Sequence, residues 1–129
     1  MTEPEWVPIE AVVAIHDRQI LRHGGSPGLR DRSGLEAATM RPEHRYTYGA
    51  PDLAELAAAY AYGVAEARAF IDGNKRTALV TTLVFLELNG HRFDPGTADG
   101  VRIIEDLASS DITEAAFAIW LREGMVPLP

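Results

Sequence analysis

The sequence feature that most constrains the fold is an almost uninterrupted apolar run from Ala78 to Leu88, directly after a short polar loop. Leu79, Leu83 and Leu86 recur at helical spacing, and valine and phenylalanine residues between them widen the apolar surface. A helix that is apolar on most sides is usually buried. The sequence therefore predicts that this helix, which begins near Asn74, is the central helix of the fold.

Capping residues and glycines divide the rest of the chain into five further helices. The expected start signals are Pro8 for the first helix, the capping pairs Ser33–Glu36 and Asp52–Glu55 for the second and third, Thr97 for the fifth, and the capping pair Asp111–Glu114 for the sixth. The expected ends are Gly24, Asn89, Ala108 and Gly124. No stretch alternates with a period of two. We therefore predict an all-α fold, a compact bundle of about six helices around a central buried helix.

Length and composition indicate one domain covering residues 1–129, and 47% of the residues are hydrophobic, which excludes a disordered chain. The net charge of −7 argues against direct nucleic-acid binding. There is no apolar run long enough to span a bilayer and no signal-peptide pattern, so we expect a cytoplasmic protein that does not contact membranes. With no cysteine, disulfides and thiolate metal sites are excluded.

The polar loop before the apolar run combines an acid, a glycine, an amide and two cations, from Asp72 to Arg76. Free N–H groups and a positive dipole make a helix N-terminus a site for anions, and lysine and arginine add charge. Asp72 is a candidate ligand for Mg²⁺, which usually takes one or two carboxylates together with phosphate oxygens. The loop therefore predicts a phosphate or triphosphate site formed by Gly73, Asn74, Lys75, Arg76 and Thr77.

An ordinary interhelix turn is the alternative interpretation of this loop. Asp72 or Asn74 could simply cap the next helix, with the two cations solvated in its first turn. Cations at a helix N-terminus oppose the dipole, however, and phosphate binding would explain them. Phe70 is interpreted as a core residue that anchors the loop, and His16 as a core histidine of the first helix.

The stretch from Phe70 to Arg76 resembles the motif of the Fic/Doc family, H-x-F-x-[D/E/N]-[G/A]-N-[G/K]-R. Lys75 matches the Doc branch, because the Fic branch has glycine there. The similarity extends to His23–Asp31, Leu35–Ala38 and Phe85–Gly90 and so covers nearly the whole chain. The resemblance implies a Doc-type toxin of a bacterial toxin–antitoxin module. Such an enzyme uses ATP and Mg²⁺ to transfer phosphate to a hydroxyl of elongation factor Tu, which arrests translation.

The chain departs from the motif at its first position, where Arg68 replaces the histidine that acts as general base in the family. A guanidinium carries five donors and no acceptor, so the resemblance implies that this chain is inactive. It also implies that Asp72 holds Mg²⁺ and that Lys75 and Arg76 neutralise the transferred group. Arg68 is either an introduced or selected inactivating change or a natural loss of the base. The intact remainder of the motif favours the first explanation.

Two alternative functions stay open: a Fic-type AMP transferase, and a non-catalytic module that binds nucleotide or antitoxin. The S/T-x-x-x-E signature of a self-inhibitory helix is not evident, so we expect an antitoxin to restrain the protein. Its C-terminal tail would fold as a helix in an apolar groove near the loop. The segment from His44 to Gly49 is expected to be a loop, either a plain surface loop or a flap that holds a target segment.

Overall fold

Six helices account for most of the chain in the computed structural model, which describes residues 2–129. They are α1 (Ile9–His23), α2 (Arg32–Tyr48), α3 (Leu53–Ala67), α4 (Asn74–Leu88), α5 (Thr97–Ala108) and α6 (Glu114–Gly124). The predicted all-α bundle of about six helices is confirmed. The chain adds one antiparallel pair, β1 (His91–Arg92) with β2 (Val126–Pro127), and these two-residue strands are too short to produce an alternating pattern.

The most buried helix is α3, and this corrects the prediction that α4 is central. Ten of the 15 residues of α3 are buried, compared with six of the 15 residues of α4. Most of the buried positions in α3 are alanines, which let neighbouring helices approach closely. At Gly63, an added Cβ would lie 3.2 Å from the carbonyl oxygen of Ala38 in α2. The prediction chose α4 for its leucine-rich run, whereas α3 is the helix that packs against α2, α4, α5 and α6.

The start of α3 confirms the predicted capping box. Asp52 accepts from the backbone N–H of Glu55 at 2.9 Å, and Glu55 accepts from the backbone N–H of Asp52 at 3.3 Å. The predicted caps of two other helices are wrong. Asp31, not Ser33, caps α2, because its side chain accepts from the backbone N–H of Gly34 at 2.9 Å.

Thr113, not Asp111, caps α6, because its hydroxyl accepts from the backbone N–H of Ala116 at 3.0 Å. The carboxylate of Asp111 instead accepts from the hydroxyl of Ser109 at 2.9 Å. In both helices a second residue with a capping side chain lies two positions from the actual cap, so composition alone does not distinguish them.

The predicted loop from His44 to Gly49 is wrong over most of its length, because α2 continues to Tyr48. The helix passes through a buried proline, Pro42, which cannot donate an intrahelical hydrogen bond. Arg45 donates to Glu114 at 2.9 Å from the last turns of α2. Packing and ion pairing with α6 therefore extend the helix into the segment predicted as a loop, and neither the surface-loop nor the flap interpretation of this segment stands.

The segment before α1 packs across the bundle. The hydroxyl of Tyr60 in α3 accepts from the buried backbone N–H of Val7 at 2.9 Å, and Trp6 stacks on Phe85 with ring centroids 5.9 Å apart. Trp120 packs on Phe93 with ring centroids 4.6 Å apart, so both tryptophans are packing residues. Within residues 2–129, no helix is long and apolar enough to cross a membrane.

Candidate functional site

The predicted anion loop connects the end of α3 to the start of α4. Arg68 terminates α3 in a left-handed conformation, with φ 47° and ψ 42°. Gly73 is also left-handed, with φ 76°, and is the N-cap of α4. Because no side chain caps α4, the interpretation in which Asp72 or Asn74 caps the helix does not match the structure. The N-terminus of α4 keeps backbone donors that an anion can use.

Asn74 fixes the shape of the loop. Its side-chain oxygen accepts from the backbone N–H of Phe70 at 3.0 Å, and its side-chain nitrogen donates to the carbonyl oxygen of Phe70 at 2.9 Å. Phe70 is fully buried and stacks on the ring of His16 at a centroid distance of 3.8 Å. The predicted core positions of Phe70 and His16 are confirmed.

Asp72 carries an exposed carboxylate that backbone donors hold in place. Its Oδ1 accepts from the N–H of Gly73 at 2.8 Å, and its Oδ2 accepts from the N–H of Ser26 at 3.2 Å. These bonds, first that of Ser26 and then that of Gly73, lower the pKa of Asp72 below its ordinary value, and the guanidinium of Arg76 acts in the same direction. The carboxylate is therefore ionised at neutral pH and able to hold a cation.

Residues 24–31, here called the glycine strap, run along the loop and are hydrogen-bonded to it. The N–H groups of Arg30 and Asp31 donate to the carbonyl oxygen of Ala69 at 2.7 and 3.0 Å, and that of Ile71 donates to Gly28 at 3.1 Å. The side chain of Arg30 donates to the carbonyl oxygen of Arg68 at 2.8 Å. The strap therefore holds the backbone on both sides of Phe70.

The contact between the strap and Asp72 requires glycine. Gly25 has φ 114°, and a Cβ there would lie 2.7 Å from Oδ2 of Asp72. Sequence reasoning did not assign a role to the strap. The available signal was its cluster of glycines at positions 24, 25 and 28, all three of which have positive φ.

A cavity of about 610 Å³ opens beside the loop. The predicted site residues that line it are Arg68, Asp72, Gly73, Asn74, Lys75 and Arg76. Thr77 does not line it; this residue is fully buried, and its hydroxyl has no hydrogen-bond partner within residues 2–129. The opposite wall comes from α5 and the residue after it, through Val101, Ile104, Glu105, Ala108 and Ser109. The sequence did not point to this wall, because nothing local in α5 marks it.

The residues of the loop do not form a metal centre built from protein ligands alone. They suit a cation that is held partly by the protein and partly by a bound phosphate. The described residues contain no group of three or more histidine, cysteine, aspartate or glutamate side chains that could hold a metal ion. Asp72 supplies one carboxylate, with Lys75 and Arg76 on the same cavity. This donor set fits Mg²⁺, which takes one or two carboxylates and completes its coordination with substrate phosphates and water.

A family model described as the Fic/DOC family matches residues 6–86, which include α1, the strap, the loop and most of α4. The chain belongs to the Fic/Doc family. This Fic/Doc protein is 39% identical over 116 residues to "Protein kinase doc" of Escherichia phage P1, an alignment that covers 88% of this chain and 90% of the phage protein. It is 41% identical over 70 residues to "Toxin Doc" of Mycolicibacterium smegmatis, covering 52% of this chain and 53% of that protein. The predicted family is confirmed, and the protein is a Doc-like toxin by family.

Proposed function

We propose that this Doc-like protein is built to transfer phosphate from ATP to a hydroxyl of elongation factor Tu, and that Arg68 silences the present chain. The observation that carries the proposal is the convergence of Asp72, Lys75 and Arg76 with Arg68 on one cavity, at a helix N-terminus that no side chain caps. The name of the phage relative, a protein kinase, supports phosphate transfer as the reaction type.

Each charged residue has a separate role in this proposal. When bound, ATP supplies the phosphoryl group, and Mg²⁺ neutralises part of its charge. Asp72 would hold Mg²⁺, Gly73 would supply the turn, and the backbone N–H of Asn74 at the start of α4 would face the phosphates. Lys75 and Arg76 would neutralise the charge that develops on the transferred group. Position 68 is where the target hydroxyl must lose its proton, and a guanidinium has no acceptor for it.

Two variants test this function. Arg68→His should restore transfer to elongation factor Tu, because the loss of one well-placed general base typically lowers the rate about 10²–10⁴-fold. Arg68→Gln is the matched control: it removes the cation and its bulk but supplies no base at neutral pH. Activity in the histidine variant alone identifies a missing base, whereas equal activity in both variants would mean that Arg68 only obstructs the cavity.

Labelled ATP separates the proposed kinase from the AMP transferase. Label from the γ position on the target means phosphate transfer, and label from the α position means AMP transfer. Expression of the histidine variant should also arrest growth in cells without a partner protein. If Arg68→His labels nothing and harms no cells, the enzyme proposal fails, and the alternative of a non-catalytic module that binds nucleotide or antitoxin takes its place.

The proposal includes an antitoxin as the regulatory partner and the cytoplasm as the site of action. The two relatives carry the name Doc, and one of them is called a toxin. The antitoxin would place a helical C-terminal tail in the apolar part of the cavity, where Leu79 of α4 faces Val101, Ile104 and Ala108 of α5. An amphipathic helix binds such a groove through apolar side chains at helical spacing.

A further inference from the structure

His16 lies in α1 but contacts the loop that begins α4. Its side chain is 1% exposed, and its Nε2 lies 2.7 Å from the carbonyl oxygen of Asp72. The ring lies flat on that of Phe70, at an interplanar angle of 8°. A Cβ added at Gly73 would lie 3.6 Å from Cδ2 of the imidazole, so the ring also packs against the glycine of the loop.

The hydrogen bond fixes one end of a single peptide unit. A carbonyl oxygen can only accept, so Nε2 of His16 carries the proton and donates. The N–H at the other end of the same peptide belongs to Gly73 and donates to Oδ1 of Asp72 at 2.8 Å. The peptide between Asp72 and Gly73 is thus held at both ends, and its orientation determines where the carboxylate and the first N–H groups of α4 point.

We propose that His16 is a positioning residue for the phosphate site rather than only a core histidine. Through the Asp72–Gly73 peptide it aims the carboxylate of Asp72 and the N-terminus of α4 into the cavity. The identity of the ligand in this inference rests on the proposed function. The effect of His16 on the geometry of the loop does not depend on it. The inference can therefore be tested in the ligand-free protein as well.

Two substitutions separate the hydrogen bond from the ring. His16→Phe keeps an aromatic ring on Phe70 and removes the donor, whereas His16→Gln keeps an N–H near the position of Nε2 and removes the ring. Val12→Ala is the structural control, because Val12 is fully buried in α1 and does not line the cavity.

In the ligand-free protein the readout is hydrogen exchange at the amides of Ser26 and Gly73, the two donors to Asp72. The loss of one hydrogen bond should speed their exchange about three- to tenfold in His16→Phe. His16→Gln should stay within about twofold of the parent protein, and Val12→Ala should not change these amides beyond its global loss of stability. Equal acceleration in His16→Phe and Val12→Ala, or in His16→Phe and His16→Gln, would overturn the positioning role.

The second readout is the affinity for inorganic phosphate and for Mg²⁺–ATP, measured by calorimetry. His16→Phe should weaken both about three- to tenfold, and the other two variants should leave them unchanged. Should the parent protein bind neither ligand, the proposed nucleotide site fails, while the amide measurement still decides the role of His16. Should His16→Phe not fold, ¹⁵N spectra of the parent imidazole decide: a proton on Nδ1 instead of Nε2 overturns the inference.

Discussion

The backbone at position 68 is left-handed, with φ 47° and ψ 42°, a conformation that few side chains adopt readily. Histidine is several-fold enriched there, together with asparagine and aspartate. The side chain of Arg30 holds the carbonyl oxygen of Arg68 at 2.8 Å, and this contact does not depend on which side chain stands at 68. The backbone that presents a base to the cavity is therefore in place, and Arg68→His should fit it without rearrangement.

Arg76 should supply affinity for phosphate independently of any base. Arg76→Ala removes a charge-assisted contact worth about 1.5–3 kcal/mol, so calorimetry should show about 10- to 150-fold weaker binding of Mg²⁺–ATP. Lys75→Ala should weaken binding in the same direction. Arg102→Ala is the matched control, because Arg102 is an exposed arginine of α5 that does not line the cavity. Unchanged affinity in Arg76→Ala would place the phosphate site elsewhere.

Asp72 should make the stability of the protein depend on pH in the acid range. Its pKa is lowered below the ordinary 3.8, mainly by the N–H of Ser26 and then by that of Gly73. A carboxyl with a lowered folded pKa contributes stability above its ordinary pKa, and this contribution is lost as pH falls through the folded value.

The difference in Tm between the parent protein and Asp72→Asn should therefore be constant above about pH 5 and shrink below the ordinary pKa. Glu87→Gln, a change at an exposed position of α4, gives the background pH dependence. A difference between the parent protein and Asp72→Asn that stays the same down to pH 3 would show that the backbone donors do not favour the ionised carboxylate.

The residues of the candidate site that are adjacent in the sequence could be predicted. Those that come from distant segments of the chain could not. Asp72 to Arg76 are neighbours in the chain, so their charges and the helix that follows identify the loop. The bond from Ser26 to Asp72 spans 46 positions and that from His16 spans 56. No local pattern pairs residues at such separations, and the α5 wall of the cavity is hidden for the same reason.

At the scale of the helices, their existence follows from local signals and their exact ends often do not. The capping box of Asp52 and Glu55 is unambiguous, and α3 begins where it predicts. Asp31 competes with Ser33 as a cap, and tertiary contacts decide between them. The length of α2 is the larger failure. Its continuation to Tyr48 depends on burial of Pro42 and on an ion pair with Glu114 of α6, neither of which is visible in the sequence.

Tyr60 should anchor the segment before α1 to α3. Tyr60→Phe leaves the buried N–H of Val7 without its 2.9 Å acceptor, which should lower the free energy of unfolding by about 1–3 kcal/mol in urea titrations. Tyr62→Phe is the control, because the hydroxyl of Tyr62 makes no hydrogen bond within the described part of the chain. A loss below about 0.5 kcal/mol in Tyr60→Phe would contradict the anchoring role.

Tyr60 should also lower the free energy of unfolding at alkaline pH. Burial raises the pKa of Tyr60 from 10.0 to about 12. The unfolded chain therefore loses this proton first, and the contribution of Tyr60 is complete below pH 10 and declines as pH rises to about 12. Tyr60→Phe should lack this part of the alkaline decline.

At the scale of the whole molecule, an alanine-rich α3 lies among four other helices. The C-terminal end of α3 and the N-terminal end of α4 flank the site. The all-α class could be predicted because helical spacing of apolar residues, helix start and stop residues and the lack of period-two alternation agree along the chain. The identity of the central helix could not be predicted, because the close packing of α3 on α2 depends on small residues such as Gly63 and Ala38. The close approach of two backbones cannot be recognised from the sequence alone.

The whole protein should bind its antitoxin over the cavity. Co-purification with the product of an adjacent short gene, followed by hydrogen exchange, should show protection in the antitoxin's C-terminal segment and here in residues 68–79 and 101–109. Ile71 and Val101 are 55% and 41% exposed, and both line the cavity, so a tail helix has apolar surface to cover. Arg68→His should leave the complex with the antitoxin intact, because the complex is stabilised mainly by burial of apolar surface.

Val101→Glu should weaken the antitoxin complex about tenfold or more, because it places a charge in the apolar part of the contact. Val126→Glu is the control, since Val126 is 54% exposed in β2 and does not line the cavity. A tight complex with protection wholly outside both segments would reject this binding mode without affecting the family assignment.

The glycine strap also affects the stage of folding at which the site can form. Its contacts with the loop join residues 38 and 46 positions apart, and closing such long loops costs chain entropy that other contacts must compensate. A peptide containing the motif alone has neither the strap nor α1 to shape it. We therefore expect the anion-binding surface to form late in folding and to be lost in an unfolding event that separates α1 from α4.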